Sequence, residues 1–369
     1  MTRTVLFAIP ALDKSGPDRV FFELLRRLDR TRFAPSIVVS QPEGYYLARL
    51  PADVTVHRLA PETSVATRYP VVPLARLVRR LRPDVVIATL RMVLTAGLAQ
   101  PLFPRATRLI LRPANHVSST RAELTRGAPL KHRVSFALSR LALGRADHLI
   151  CQGDDLARDL AALRTGVPMT TIGNPVDVDE VVRLGAAPAA LPGSPALLAT
   201  GRLSRQKGFD LLIPAFAPVA AALPGAHLTI LGTGPDEVAL REQIDALGLG
   251  ARVTLRGFVE NPYPLMRAAD LFVLPSRYEG FPNAALEALA CGTPVLAAAC
   301  PGVPGLVFPG ENGWLVPAED VGALTRGLTV ALAELATFPP LAVQASVRAR
   351  FDVGSIARAY ERVLGKVAA

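Results

Sequence analysis

The sequence predicts an α/β protein of two doubly wound domains, each a mostly parallel sheet with helices on both faces, whose strand ends face a cleft. Three observations predict it. Short apolar runs alternate with helical patterns along most of the chain, as repeated βα units require. The alternation breaks at Asn174-Pro175 and in the Ala-, Pro- and Gly-rich stretch 185–195, then restarts. The length, 369 residues, suits two domains of ordinary size.

In the first series the runs at 4–9, 35–40, 54–59, 84–89, 107–111, 147–151 and 169–173 read as strands. Helical patterns at about 18–29, 71–81, 92–101, 128–144 and 153–163 lie between them. The second series opens with Ala196-Leu-Leu-Ala-Thr200. It continues with strands near 227–231, 252–256, 270–275 and 294–298, and helices near 208–222, 235–247, 282–290 and 319–336. The boundary therefore falls near 175–190. Both units read as Rossmann-like, and ligands of such sheets bind beyond the carboxyl ends of the strands. Residues 341–369 are helical in pattern.

Half the residues are hydrophobic, enough for two cores, and the 33 prolines and 28 glycines are scattered rather than clustered. No low-complexity linker or disordered tail is expected. Cys151, Cys291 and Cys300 have no metal-ligand spacing and are odd in number, which suits buried thiols in a reducing compartment. The apolar run 4–9 could pass for a secretion signal, but Pro10 and Asp13-Lys14 follow at once, so a first strand is the better reading. No window offers the ~18 clean apolar residues of a membrane span. A cytoplasmic protein is expected.

Charge divides unevenly. Residues 1–175 carry an excess of +13 and residues 176–369 an excess of −3, within a total of +10. The basic half points to an anionic partner: a membrane surface, a lipid-linked phosphate or an acidic glycan. Nucleic acid fits poorly, because the basic residues lack interleaved aromatics. No G-x-G-x-x-G follows the first strand, which counts against a dinucleotide-dependent dehydrogenase.

The most informative stretch is Ser276-Arg-Tyr-Glu-Gly-Phe-Pro-Asn-Ala-Ala-Leu-Glu-Ala-Leu-Ala-Cys-Gly-Thr-Pro-Val295. It follows a buried strand, and Pro282 fits the first position of a helix. Glu279 then lies in the loop and Glu287 about five residues into the helix, roughly 8–10 Å away. A helix N-terminus between two carboxylates suits a diphosphate carrying a hydroxyl-rich group at each end. That is the shape of a nucleotide-sugar. The alternative for Glu279, an acid balancing the helix dipole, is the weaker reading of the pair. Glu287, among Ala and Leu, needs a partner if buried.

This stretch resembles the E-x7-E signature of glycosyltransferase family 4, retaining enzymes of the GT-B fold. Four further segments carry the resemblance in the family's order: Asn174-Pro-Val-Asp177, Gly201-Arg-Leu-Ser-Arg-Gln-Lys-Gly208, Leu231-Gly-Thr-Gly-Pro235 and Gly310-Glu-Asn-Gly-Trp-Leu-Val-Pro317. Together they cover most of residues 145–325. The resemblance implies an N-terminal acceptor-binding domain at 1–175, a nucleotide-sugar domain at 176–350, and a last helix at 351–369 that returns to the N-terminal domain. It also implies that Glu279 holds the donor sugar, Glu287 the ribose, and His116 the sugar again. His116, in Arg112-Pro-Ala-Asn-His116, reads equally well as a structural hydrogen-bonder, and Arg112 is a weaker candidate for anion contact.

Arg202 and Lys207 follow a strand and can neutralise charge on a leaving diphosphate. No Asp-x-Asp is present, so metal-independent chemistry and no cofactor are expected, with the two cations in the metal's role. Alone, they would read as solvated surface cations. Gly280 allows close backbone approach, so that amides of Gly280, Phe281 and Asn283 reach the ligand. Gly232 and Gly234 repeat that logic, with Thr233 near the base or phosphate.

Two departures from the family pattern stand out. The first βα loop, Pro10-Ala-Leu-Asp-Lys-Ser-Gly-Pro-Asp18, has Ser15 in place of the first of two glycines and Asp18 in place of a glutamate, but keeps Gly16, and the resemblance implies that it meets the donor phosphate or the acceptor. Gly305 stands where many relatives carry an acid. The expected activity is retaining transfer of a sugar to a glycan or lipid-linked acceptor in bacterial surface polysaccharide, lipopolysaccharide or glycolipid synthesis. The alternatives are a GT-B-like epimerase or phosphorylase, or a non-catalytic sugar-nucleotide binder. Pro129–Arg145 reads as a basic amphipathic helix, either an ordinary surface helix or one that lies on the inner face of the plasma membrane.

Overall fold

The structure, a computed structural model, describes residues 2–13, 16–41, 43–59, 69–116 and 129–368, with 129–133 and 135 described by backbone alone. Lys14 and Ser15 of the first βα loop lie outside the described residues, as does the side-chain detail of Lys131, His132 and Arg133. The chain divides into two compact units, Met1–Pro175 with Val353–Ala369, and Val176–Asp352.

The first unit runs β1 (Arg3–Ala8), α1 (Gly16–Arg27), β2 (Phe33–Val39), β3 (Thr55–Arg58), α2 (Val71–Leu81), β4 (Val85–Thr89), α3 (Met92–Ala99), β5 (Arg108–Arg112), α4 (Pro129–Leu143), β6 (His148–Cys151), α5 (Asp154–Ala161) and β7 (Met169–Thr171). The strands pair in parallel, in the order β3-β2-β1-β4-β5-β6-β7. Strand β4 reads Val-Val-Ile-Ala-Thr and is buried throughout, as a strand covered on both faces must be. One face packs Phe7 against Phe21 and Leu24 of α1, and the other packs Leu6 and Val86 against Leu74 and Val78 of α2.

The last helix of the chain, α13 (Val353–Val367), belongs to this unit. Ile356, Tyr360, Val363 and Leu364 fall on one stripe at helical spacing and join the α1 face of the core. Cys151 ends β6 fully buried, and burial pushes its thiol up to about 12.

The second unit runs α6 (Val178–Gly185), β8 (Ala196–Thr200), α7 (Phe209–Ala222), β9 (His227–Leu231), α8 (Glu237–Ala246), β10 (Val253–Gly257), α9 (Tyr263–Ala268), β11 (Leu271–Leu274), α10 (Asn283–Ala290), β12 (Val295–Ala298), β13 (Gly313–Val316), α11 (Val321–Glu334) and α12 (Pro340–Phe351). Its parallel sheet has the order β10-β9-β8-β11-β12-β13. The predicted α/β architecture is what the structure has, with three elements the sequence reading lacked. Strand β13 opens on a glycine in a Gly- and Pro-rich segment. Helix α6 hides behind Asn174-Pro175 and is capped by Asp177, whose carboxylate accepts the Glu180 amide at 3.0 Å. Helix α9 has only six residues. Among the described residues no single helix is long and apolar enough to cross a membrane.

Candidate functional site

In the second unit the strand order reverses direction between β8 and β11. Loops leaving two such strands flank a crevice beyond their carboxyl ends. The loop after β8 carries Arg202 and Lys207; the loop after β11 carries Ser276 to Glu279. Topology thus brings together Lys207 and Glu279, 72 positions apart in sequence.

The loops are stitched together. The Lys207 ammonium donates to Glu279 Oε1 at 2.7 Å, and the Ser276 hydroxyl donates to the same oxygen at 2.6 Å. Glu279 is 5% exposed and its amide donates to the Pro301 carbonyl at 2.8 Å. Its other oxygen, Oε2, has no hydrogen bond among the described residues, so half of a fixed carboxylate is left to accept from something else. The Arg277 amide donates to the Gln206 carbonyl at 2.8 Å, and the Gln206 side chain returns a bond to the Tyr278 carbonyl at 3.0 Å.

Arg277 closes the arrangement. Its guanidinium meets Asp210 in a two-pronged pair, with both bonds at 2.7 Å, and donates to the Arg205 carbonyl at 2.6 Å and to Glu319 at 3.3 Å. The hydrogen bonds to Asp210 raise its pKa further. Ser276, Gln206, Arg277 and Asp210 are absent from the residues that sequence reasoning assigned. Ser276 and Arg277 sit inside the signature stretch, three and two positions before Glu279, and that proximity was the available signal.

Glycines fix this geometry at two points. Gly208 holds φ +70° at the start of α7, where a Cβ would come within 2.0 Å of the Pro275 carbonyl oxygen. Gly232, at φ +129°, would place a Cβ 1.9 Å from the Gly201 carbonyl oxygen. Gly234 is likewise pressed on Leu203. These two glycines are therefore required by the close packing of the loop 232–234 on the loop 201–203, whatever their role toward a ligand. Thr233 between them is exposed.

Arg202 is exposed and has no partner among the described residues. Helix α10 begins at Asn283, with Pro282 just before it rather than in its first position. Glu287 is half-buried, and Gly280 is buried beside Glu279. Phe281 is committed to packing: its ring meets Phe351 edge-on at 5.7 Å. Gly305 has φ +98°, so an acidic side chain there would be strained in this loop, which accounts for one departure from the family pattern.

In the first unit, His116 is buried and its Nε2 lies 3.4 Å from Asp155 at the start of α5. Gly16 opens α1, and Asp18 behind it accepts the Asp13 amide at 3.1 Å. Arg112 requires a correction. It is 1% exposed, and its guanidinium donates to Tyr360 Oη at 2.8 Å, to Thr89 Oγ1 at 3.4 Å and to Asn174 Oδ1. Its donors are directed inward, joining β4, the segment after β7 and α13, rather than held out at the surface for an anion. Among the described residues no three His, Cys, Asp or Glu side chains cluster as a metal site would need.

Residues 14–180 match Glycosyltransferase Family 4, and residues 194–334 match Glycosyl transferases group 1. A 2-deoxystreptamine N-acetyl-D-glucosaminyltransferase of Streptomyces fradiae is 32% identical over 306 residues, 78% of this chain and 72% of that protein. The lipopolysaccharide core biosynthesis glycosyltransferase LpsE of Rhizobium meliloti is 29% identical over 55% of this chain and 61% of its own length. Among solved structures, Anabaena HepE in complex with UDP superposes with a TM-score of 0.77 over 99% of this chain and 100% of its own, at 21% identity. The two family matches, the first relative and the two parallel sheets agree: this chain belongs to the family 4 glycosyltransferases of the GT-B fold.

Proposed function

We propose that the protein transfers a sugar from a nucleoside-diphosphate sugar to a glycan or lipid-linked acceptor, with anomeric retention and without a metal ion. The observation that carries this reading is the Lys207–Glu279 pair at 2.7 Å beside the partnerless Arg202. Lys207 and Arg202 would take the developing charge of the diphosphate. Glu279, fixed through Oε1, would receive a sugar hydroxyl on Oε2. Glu287 would hold the ribose, the amides near Gly280 and Asn283 the phosphate, and His116 the sugar. The UDP bound to HepE supports a nucleotide donor here.

The reaction needs no enzyme nucleophile. The acceptor oxygen forms a bond to the anomeric carbon on the face from which the phosphate oxygen departs. The acceptor proton passes to that phosphate oxygen, and the nucleoside diphosphate leaves. Bacterial cell-surface glycan or glycolipid synthesis is the setting we favour, since one relative acts in lipopolysaccharide core biosynthesis.

The acceptor side extends to a membrane. On α4, Val134, Leu138 and Leu141 are exposed at one-turn and two-turn spacing, next to exposed Arg140. An apolar stripe with arginine beside it suits an anionic lipid surface. Leu138→Gln with Leu141→Gln should abolish sedimentation with phosphatidylglycerol vesicles at low salt; unchanged sedimentation removes this part of the reading.

Thermal shifts with UDP, GDP, ADP and their sugars, with and without EDTA, test the donor. A selective rise that survives EDTA and disappears in Lys207→Ala is expected. Wild-type turnover by Lys207→Ala would remove the leaving-group role.

A further inference from the structure

At the amino ends of the strands of the first unit, Arg3 of β1 pairs in register with Phe33 of β2. A cavity of about 570 Å³ opens there, lined by Arg3, Thr31, Arg32, Phe33, Arg362 and Gly365. Three guanidinium groups reach it from three places: Arg3 from β1, Arg32 from the turn before β2, and Arg362 from α13. Gly16 and His116 follow the carboxyl ends of β1 and β5, at the opposite edge of the same sheet. The cavity is therefore remote from the candidate site residues of its own unit.

Most donors of these arginines are unspent. Arg3 gives Nη1 to the Gly365 carbonyl, and Arg32 gives Nη1 to Glu361 Oε2 at 3.4 Å. Arg362 is exposed and has no hydrogen bond or ion pair among the described residues. Each guanidinium has five N–H groups, so the cluster offers many more donors than the protein uses. Glu361 contributes one negative charge, Asp29, held by Thr31 and close enough to feel Arg32, a second, and the C-terminal end of α13 roughly half of one. Three positive charges still outnumber the two carboxylates, and an anion joining them uses donors that the protein leaves unpaired.

We infer that this cavity binds a phosphate ester or diphosphate, at a second anion site apart from the donor site. Forked guanidinium donors match phosphate oxygens two at a time, and the volume lies in the range of small-ligand pockets. Gly365 faces the cluster: a Cβ there would make ordinary contact, 3.6 Å from Arg32 Nη2 and 3.7 Å from Arg3 Nη1. A larger side chain would reach into the cluster without removing a charge. The phosphate can belong to a soluble molecule or to a lipid headgroup.

The test uses the full chain carrying Lys207→Ala with Arg202→Ala, which removes both diphosphate contacts proposed for the donor site. Pyrophosphate binding is measured by calorimetry. Sedimentation is measured with phosphatidylcholine vesicles, with and without phosphatidylglycerol. Both are repeated with Arg3→Gln plus Arg362→Gln, and separately with Gly365→Leu, which keeps every charge if the arginine variant fails to fold. Loss of charge-assisted bonds should weaken pyrophosphate about tenfold or more in each, identifying a soluble ligand. Vesicle binding that falls in both variants while pyrophosphate gives no heat identifies a headgroup. Absence of binding to either probe, or binding that Gly365→Leu leaves unchanged, overturns the proposal.

Discussion

Replacing Arg277 with alanine should uncouple the two loops that carry Lys207 and Glu279. The side chain is 8% exposed and its partner Asp210 is 44% exposed. Truncation removes two bonds to Asp210, one to the Arg205 carbonyl and one to Glu319, while leaving both carboxylates within reach of water. Breaking a fully buried pair costs about 3–5 kcal/mol, and solvent around Asp210 and Glu319 lowers that to about 2–3 kcal/mol. Asp210→Asn removes the pair from the other side. Urea unfolding of wild type, both single variants and the double variant forms a closed cycle, and a coupling of about 1–2 kcal/mol is expected. Steady-state kinetics supply the second readout. If the clamp positions Lys207, kcat falls about tenfold or more in Arg277→Ala, because small displacements of a catalytic group are costly. A coupling under about 0.5 kcal/mol, or unchanged kcat in a folded variant, refutes the clamp.

Three other outcomes follow from the same geometry. Gly208→Ala should lose at least about 2 kcal/mol, since φ +70° alone costs roughly 1–2 kcal/mol and its Cβ would strike the Pro275 carbonyl; a urea midpoint equal to wild type contradicts this. Tyr360→Phe should cost about 1–3 kcal/mol by stranding Arg112 Nε in the core, read as a lower thermal midpoint with α13 still folded. Burial lowers the pKa of His57, His148 and His227, with nearby Arg80, Lys366 and Arg252 adding to it. The unfolded chain then takes up these protons first, below about 6.5. Stability should hold above that pH and fall as pH drops toward the folded values, and His148→Gln should flatten the decline; stability independent of pH between about 5 and 7 would remove this account.

The fold was legible because parallel sheets make their own signal. A strand covered on both faces must be apolar throughout, so Val85–Thr89 and Leu271–Leu274 stand out from any polar neighbour. The spacing of helices between them then dictates parallel crossovers. What escaped was short or masked by breakers. Gly313–Val316 lacks a long apolar run, and its first residue is a glycine because the Val295 carbonyl lies against it. That requirement is set by a neighbouring strand, which no local pattern records.

The site divides along a similar line. Glu279, Lys207 and Arg202 stand out as candidates because a family pattern and a strand-loop-helix context mark them, and the structure brings Glu279 and Lys207 into contact. Ser276, Gln206, Asp210 and Arg277 were missed because each is chemically ordinary and becomes meaningful only through a partner on the other loop. Arg112 went wrong for the converse reason. Sequence shows an arginine at a strand end, where anion contacts occur, but its acceptor Tyr360 is 248 residues away. A buried guanidinium must satisfy its donors within the fold, and α13 supplies one of them. The same helix carries Arg362 and Gly365 to the cavity at the other edge of the sheet. Its inner stripe is spent on stability while its last turns help to build a charged pocket. The two uses separate experimentally, since Tyr360→Phe should shift the melting point and Gly365→Leu the anion affinity.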